Sequence, residues 1–259
     1  MRIVRFSDGH NPKYGMMKED STRIFVLRGD PLFSKIELSG EVFELDEVRL
    51  VSPVIPRSKV VCVGRNYLDH VKEMGGREAP REPILFIKPN TSVIGPDDPI
   101  VMPKWSNQVD YEGELAVVIK TLAKDVPVEE VDDIVFGYTV ANDVTARDKQ
   151  KQDGQWTRAK GFDTSCPLGP WITVDPDLDI DDLLVTTSVD GELRQSASTA
   201  DMIFPVRDLV SFVSGVFTLL PGDVILTGTP AGVGPLHPGD RVDVTVSGIG
   251  TLSNPVVRR

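Results

Sequence analysis

The segment Asp110-Tyr111-Glu112-Gly113-Glu114, running directly into Leu115-Ala116-Val117-Val118-Ile119, constrains this chain more than any other. Read as a strand, the run places Glu112 and Glu114 on one face, because side chains alternate along β structure. Like charges side by side repel and destabilise a strand. A strand that keeps them usually needs a cation there. Asp143 offers a third carboxylate from a second strand-like run, Phe136-Gly137-Tyr138-Thr139-Val140-Ala141-Asn142-Asp143-Val144. Three hard oxygen ligands from two strands suit Mg²⁺ or Mn²⁺ and suit zinc or copper poorly. Spacing alone leaves a second account open, in which Glu-Gly-Glu is an exposed hairpin edge.

The 259 residues suffice for one large domain, or one large and one small, around a sizeable core. A net charge of −11 argues against nucleic acid or an anionic membrane as a partner. It still permits an acidic substrate where a metal and a few Lys or Arg reverse the local field. Cys62 and Cys166 have no Cys-x-x-Cys spacing and read as free buried thiols in a reducing compartment. Met1–Phe6 passes straight into polar sequence with no visible secretory signal, and no apolar run approaches the length of a membrane span. Together these features predict a cytoplasmic protein.

The class expected is α+β, strand-dominated. Residues 1–54 carry short alternating segments (Arg2–Phe6, Ile24–Leu27, Val42–Leu45) and read as a small β-rich N-terminal domain, with Pro53 and Pro56 marking its end. Residues 55–259 read as a second, larger domain. Strands are expected at Lys59–Gly64, Leu85–Lys88, Leu115–Ile119, Val185–Val189, Val224–Leu226 and Val242–Val246, and helices at Val128–Asp133 and Arg207–Leu220. Pro-Gly-Asp turns precede two of the strands, at 221–223 and 238–240.

Three further clusters carry chemistry. Within Gly64–Gly76, Asn66 is expected to N-cap a short helix that Gly75-Gly76 ends. His70 and Glu73 are then neighbours at i and i+3, and a carboxylate raises an imidazole's basicity and fixes its tautomer. An ordinary surface helix with an incidental His–Glu pair fits the spacing as well. His10 and His237 sit in turn-like sequence and are expected in solvent. Thr145–Gln150 and Trp156–Asp163 form a charged stretch in which Arg147 and Gln150 share a helical face; a solvated charge run is the simpler account. Trp156 and Phe162 suggest instead a partly buried wall, while Trp105 and Trp171 read as core. Leu226–Gly234 runs from a strand into a Gly-rich loop whose amides and hydroxyls suit a carboxylate, or form a tight structural turn. The loop matches no Walker or dinucleotide pattern.

Taken in order, these segments resemble the fumarylacetoacetate hydrolase family. The likeness covers roughly residues 55–255: Val-Gly-Arg-Asn-Tyr at 63–67, His-x-x-Glu at 70–73, Asp-Tyr-Glu-Gly-Glu-Leu-Ala at 110–116, Asn-Asp-Val-Thr-Ala-Arg-Asp at 142–148, Ala-Lys-Gly-Phe-Asp at 159–163, Cys-Pro-Leu-Gly-Pro at 166–170 and Leu-Thr-Gly-Thr-Pro-Ala-Gly-Val-Gly at 226–234. The resemblance implies a mixed β-roll or sandwich fold in a homodimer. It implies Mg²⁺ or Mn²⁺ on Glu112, Glu114 and Asp143. His70, Glu73 and Lys160 would be catalytic, and Arg147, Gln150 and Thr229 would contact a small 2-oxo acid. Gly161 departs from the pattern, where a Ser often follows the Lys. The activity implied first is hydrolysis of a C–C bond in a 2,4-dioxo acid through a pyruvate enolate held by the metal. Oxaloacetate decarboxylation and isomerisation of a 2-hydroxydienedioate share that enolate chemistry. A metal-dependent dicarboxylate-binding protein without catalysis is the alternative outside enzymes.

Overall fold

The computed structural model describes residues 1–258. A 12-stranded sheet dominates the molecule. Its main path runs Leu38–Glu44, Arg23–Leu27, Lys13–Met17, Arg2–Ser7, Cys166–Thr173, Val135–Asn142, Gly113–Ile119, Val224–Leu226, Val60–Gly64 and Ile84–Lys88. The N-terminal strands are continuous with it, because Arg2 and Ile3 pair with Thr173 and Ile172. A five-stranded sheet is ordered Glu192–Ser198, Leu184–Val189, Arg241–Val246, Gly250–Arg258 and Ile100–Met102. The longest helix, Val206–Val216, buries Val206, Leu209, Val210 and Val213. Among the described residues no helix is long and apolar enough to cross a membrane. The strand-dominated α+β class is therefore as expected.

The strand Gly113–Ile119 explains how the sheets meet. All seven of its residues are buried, as a strand covered on both faces requires. Leu115, Val117 and Ile119 join the core that holds Val185, Val244 and Leu252 of the five-stranded sheet. Ala116 and Val118 join a separate core with Cys62, Cys166 and Leu168. Glu112 and Glu114 share the parity of Ala116 and Val118. Gly113 points the other way, where an added Cβ would collide with Thr187 Oγ1 and approach Val244 Cγ1 to 2.8 Å. The glycine between the two carboxylates is thus a packing requirement of the second sheet.

Several boundaries moved. The helix expected to reach Leu220 stops at Val216, and Phe217 is extended. Val128–Ile134 is a short 3₁₀ turn followed by one α turn. Asn66 does not cap the helix Leu68–Glu73; Tyr67 holds the cap position without a side-chain bond. Fully buried Asn66 instead donates to the carbonyls of Phe204 (3.0 Å) and Thr227 (2.8 Å) and accepts from the Phe204 amide (2.8 Å). Tertiary partners outcompeted the local cap. Trp105 is 40% exposed rather than core, and Trp171 is half-buried beneath Arg2. Cys62 and Cys166 are free and buried, and burial pushes the Cys166 thiol up to about 12.

Gly113→Ala should cost about 1–3 kcal/mol, the usual penalty for overpacking a filled site. Urea denaturation of the purified variant measures it; an unchanged midpoint would show that the sheets separate freely at this point.

Candidate metal centre and active site

The antiparallel register of Gly113–Ile119 with Val135–Asn142 pairs Gly113 with Asn142 and Glu114 with Ala141. One step further, Glu112 faces Asp143, and the Asp143 amide donates to the Glu112 carbonyl at 2.8 Å. Asp143 lies just beyond the end of its strand rather than inside it. Glu112, Glu114 and Asp143 are 3%, 1% and 1% exposed, so all three carboxylates are taken out of water together. One ligand oxygen from each lies within 4.8 Å of the others. This arrangement can hold a metal ion.

The charges around the triad are unevenly shared. Lys160 bridges Glu112 Oε2 and Asp143 Oδ2, both at 2.6 Å. Arg147 donates to Glu112 Oε1 at 2.5 Å, to Asp110 Oδ2 at 2.8 Å and to Gln150 Oε1 at 2.7 Å. Burial opposes ionisation of Glu112, but Lys160 and Arg147 outweigh it and hold the carboxyl well below its usual value. Burial likewise opposes the charge on Lys160, and Asp143 and Glu112 reverse that effect. Glu114 has no such partner. Its Oε2 accepts only the Gly228 amide, at 2.7 Å. Burial first, then the Asp143 and Glu112 charges, push its carboxyl well above the ordinary range.

Fully buried Lys88 lies behind the triad. Its ammonium donates to the carbonyls of Val144, Ser165 and Lys160. It also ion-pairs with Asp143 Oδ1 at 2.7 Å. Glu114, buried with one backbone amide and no cationic partner, converges with the other two carboxylates at ligand distance, which fits a hard divalent cation.

The other expected residues converge on the same place. His70, Glu112, Glu114, Asp143, Arg147, Gln150, Lys160 and Thr229 all line one cavity of about 190 Å³, with Phe86 and Trp156 in its wall. Phe162 is not in that wall; it packs edge-on against Trp105 elsewhere. Glu73 is not in the lining but holds His70: its Oε2 is 3.2 Å from His70 Nδ1, and its Oε1 accepts the Gly232 amide at 3.0 Å. The helix and the Gly-rich loop are thereby tied together. His10 and His237 are exposed and do not line this cavity.

Sequence reading missed Gln195. It is buried on the strand Glu192–Ser198. Its Oε1 accepts the Gly113 amide at 3.0 Å, and its Nε2 donates to Thr229 Oγ1 and the Pro230 carbonyl, both at 2.8 Å. Thr229 Oγ1 in turn donates to the Gly113 carbonyl at 2.9 Å. One amide side chain from the second sheet therefore clamps the Glu-Gly-Glu segment to the Thr229 loop. A polar residue in an otherwise exposed hairpin strand gives no signal of this. Lys88 and Asp110 were also unassigned, although both touch the charged cluster.

These features belong to an enzyme family. The family profile described as "Fumarylacetoacetate (FAA) hydrolase C-terminal" matches residues 59–257, and one described as "Rv2993c-like, N-terminal" matches residues 1–53. The chain belongs to the fumarylacetoacetate hydrolase family. It is 53% identical over 232 residues to protein Rv2993c of Mycobacterium tuberculosis, covering 89% of this chain and 85% of that one. It is 43% identical over 231 residues to oxaloacetate tautomerase YisK of Bacillus subtilis, covering 85% and 77% respectively. The crystal structure of a 5-carboxymethyl-2-hydroxymuconate delta-isomerase from Mycobacterium smegmatis superposes with a TM-score of 0.92 at 46% identity over the whole of both chains.

Glu114 contributes its own pH dependence to the stability of the protein without metal. Its carboxyl is raised above the ordinary 4.5. Its contribution is therefore fully favourable below about pH 4.5 and is lost as the pH rises through the folded value. Glu114→Gln removes that loss. At neutral pH the variant should melt roughly 2–4 °C higher than wild type in chelator, the shift about 1 kcal/mol produces in a chain of this size. It should also lose the further rise that a divalent cation gives wild type. Calorimetry with and without cation reads both; a variant still stabilised by the cation would exclude Glu114 as a ligand.

Proposed function

We propose that this chain is a Mg²⁺- or Mn²⁺-dependent enzyme that enolises a short 2-oxo dicarboxylic acid, interconverting the keto and enol forms of oxaloacetate. One observation carries the reading: an imidazole held by a carboxylate opens into the same cavity as the three buried ligand carboxylates. The all-oxygen donor set favours Mg²⁺ or Mn²⁺ over softer metals. When bound, the cation supplies Lewis-acid polarisation of a 2-oxo acid.

The chain's own groups supply the rest. Glu73 engages His70 Nδ1, so Nε2 is the nitrogen free to act in the cavity. His70 takes the proton from the carbon next to the 2-oxo group and delivers it to the enolate oxygen, giving the enol; in the reverse direction it moves the proton from that oxygen back to the carbon. A carboxylate partner stabilises the imidazolium formed meanwhile. Lys160 and Arg147, already fixed on Glu112, hold positive charge where negative charge develops on the substrate oxygen. Phe86 and Trp156 limit water at the reacting carbon. The cavity of about 190 Å³ suits a short acid, since drug-sized ligands occupy roughly 300–1,000 Å³. The likeness to an oxaloacetate tautomerase supports the same substrate size.

Hydrolytic C–C cleavage of a 2,4-dioxo acid is the second reading. It uses the same 2-oxo acid end, with His70 taking its proton from water instead of carbon. The same His70–Glu73 pair supports it.

Decay of enol-oxaloacetate absorbance and pyruvate release from acetylpyruvate and from oxaloacetate, assayed side by side with Mg²⁺ and with chelator, separate the readings. We expect Mg²⁺-dependent enol decay without stoichiometric pyruvate. His70→Asn should lower kcat about 10²–10⁴-fold, the range for a general base, while cation-induced thermal stabilisation persists. Faster pyruvate release from acetylpyruvate would establish the hydrolase, and release from oxaloacetate alone a decarboxylase. Full turnover in chelator would overturn all three.

A further inference from the structure

The buried cations at and behind the carboxylate triad are committed. Arg147 serves Asp110 and Glu112, Lys160 serves Glu112 and Asp143, and Lys88 lies against Asp143. Two other cations line the same cavity, Arg65 and Lys151. Both are exposed, and neither has a hydrogen-bonding or ion-pairing side chain among the described residues.

Arg65 is also built into position. Its φ is 61°, a left-handed conformation that residues other than glycine rarely adopt. Both neighbours are fixed. Gly64 lies so close to the Trp156 ring that a Cβ would sit 2.9 Å from Cζ3. Asn66 is fully buried and bonded to Phe204 and Thr227. The unusual backbone therefore presents Arg65 at the cavity from a rigid base. Lys151 comes from the opposite segment. It is one turn beyond Arg147 on the helix Arg147–Asp153, so both share a helical face.

We propose that Arg65 and Lys151 form the subsite for the second carboxylate of the substrate, and so select 2-oxo diacids over 2-oxo monoacids. The proposal deepens the enolisation reading and takes its substrate class from it. The carboxylate triad accounts for one end of the molecule through its cation. A second carboxylate must meet positive charge away from Glu112, Glu114 and Asp143, and these are the two cations in the lining not committed to them. An arginine offers a planar fork that matches a carboxylate, and a lysine adds a mobile point charge.

Arg65→Asn, Lys151→Gln and the double variant test this. Asn tolerates the left-handed backbone, so the change removes charge without adding strain. With Mg²⁺ present, calorimetry compares L-malate, which carries a distal carboxylate, with oxalate, which has no further group. The malate-to-oxalate affinity ratio should fall about tenfold per substitution, the scale of one lost charged hydrogen bond. KM for oxaloacetate should rise by a similar factor with kcat retained. Equal losses for malate and oxalate, an unchanged ratio, or a wild type that binds no malate would each overturn the subsite. If wild type fails to convert oxaloacetate while its malate affinity still depends on Arg65 and Lys151, the enolisation reading fails and the subsite stands. If wild type converts oxaloacetate and the double variant keeps its KM, the subsite fails and the enolisation reading stands.

Discussion

The structure depends on how a dense group of buried charges is balanced. Asp110, Glu112, Glu114 and Asp143 are all nearly excluded from water, and only Arg147, Lys160 and Lys88 stand among them. Buried ions are tolerated where partners and hydrogen bonds compensate their desolvation. Glu112 has two cationic partners and is held ionised. Glu114 has one backbone amide and resists ionisation. The deficit is local, at the point where three ligand oxygens converge, and a divalent cation would remedy it. Much of the polar architecture nearby follows from keeping that deficit in place.

The means is a set of clamps between elements distant in sequence. Gln195 ties the second sheet to Gly113 and to the Thr229 loop. Glu73 ties that loop to His70 through Gly232. Asn66 ties the start of the His70 helix to Phe204 and to Thr227 at the base of the same loop. The ligand carboxylates, the imidazole and the loop thus share one rigid frame. Such a frame holds reacting groups in position without reorganisation during reaction. The same frame carries Arg65 in its unfavourable backbone conformation.

The family relationship is to enzymes, and on the function proposed above the distal end of the substrate decides the reaction. Enolisation, decarboxylation and hydrolysis make the same demands on the carboxylate triad. On that proposal they differ in the proton His70 would take and in what lies beyond the reacting carbon. Trp156, Arg65 and Lys151 bound that region.

By itself the sequence determined the strand class, the positions of several main strands and the three carboxylates that converge. Alternation along Glu112–Ile119 is a local property, and so is the mismatch between paired carboxylates and an apolar strand. The pairing of His70 with Glu73 was also legible, because helical spacing is local. Asn66 was misread as a cap, and Trp105 as core, because composition and neighbours do not report which surfaces meet. Only the tertiary structure decided that Gln195 would join the site, that Lys88 would lie behind Asp143, and that Arg147 would be engaged by Glu112 and Asp110. Those contacts span from 35 to 82 residues along the chain. They exist because sheet register and sheet-on-sheet packing bring remote strands together, and no short-range pattern encodes that register.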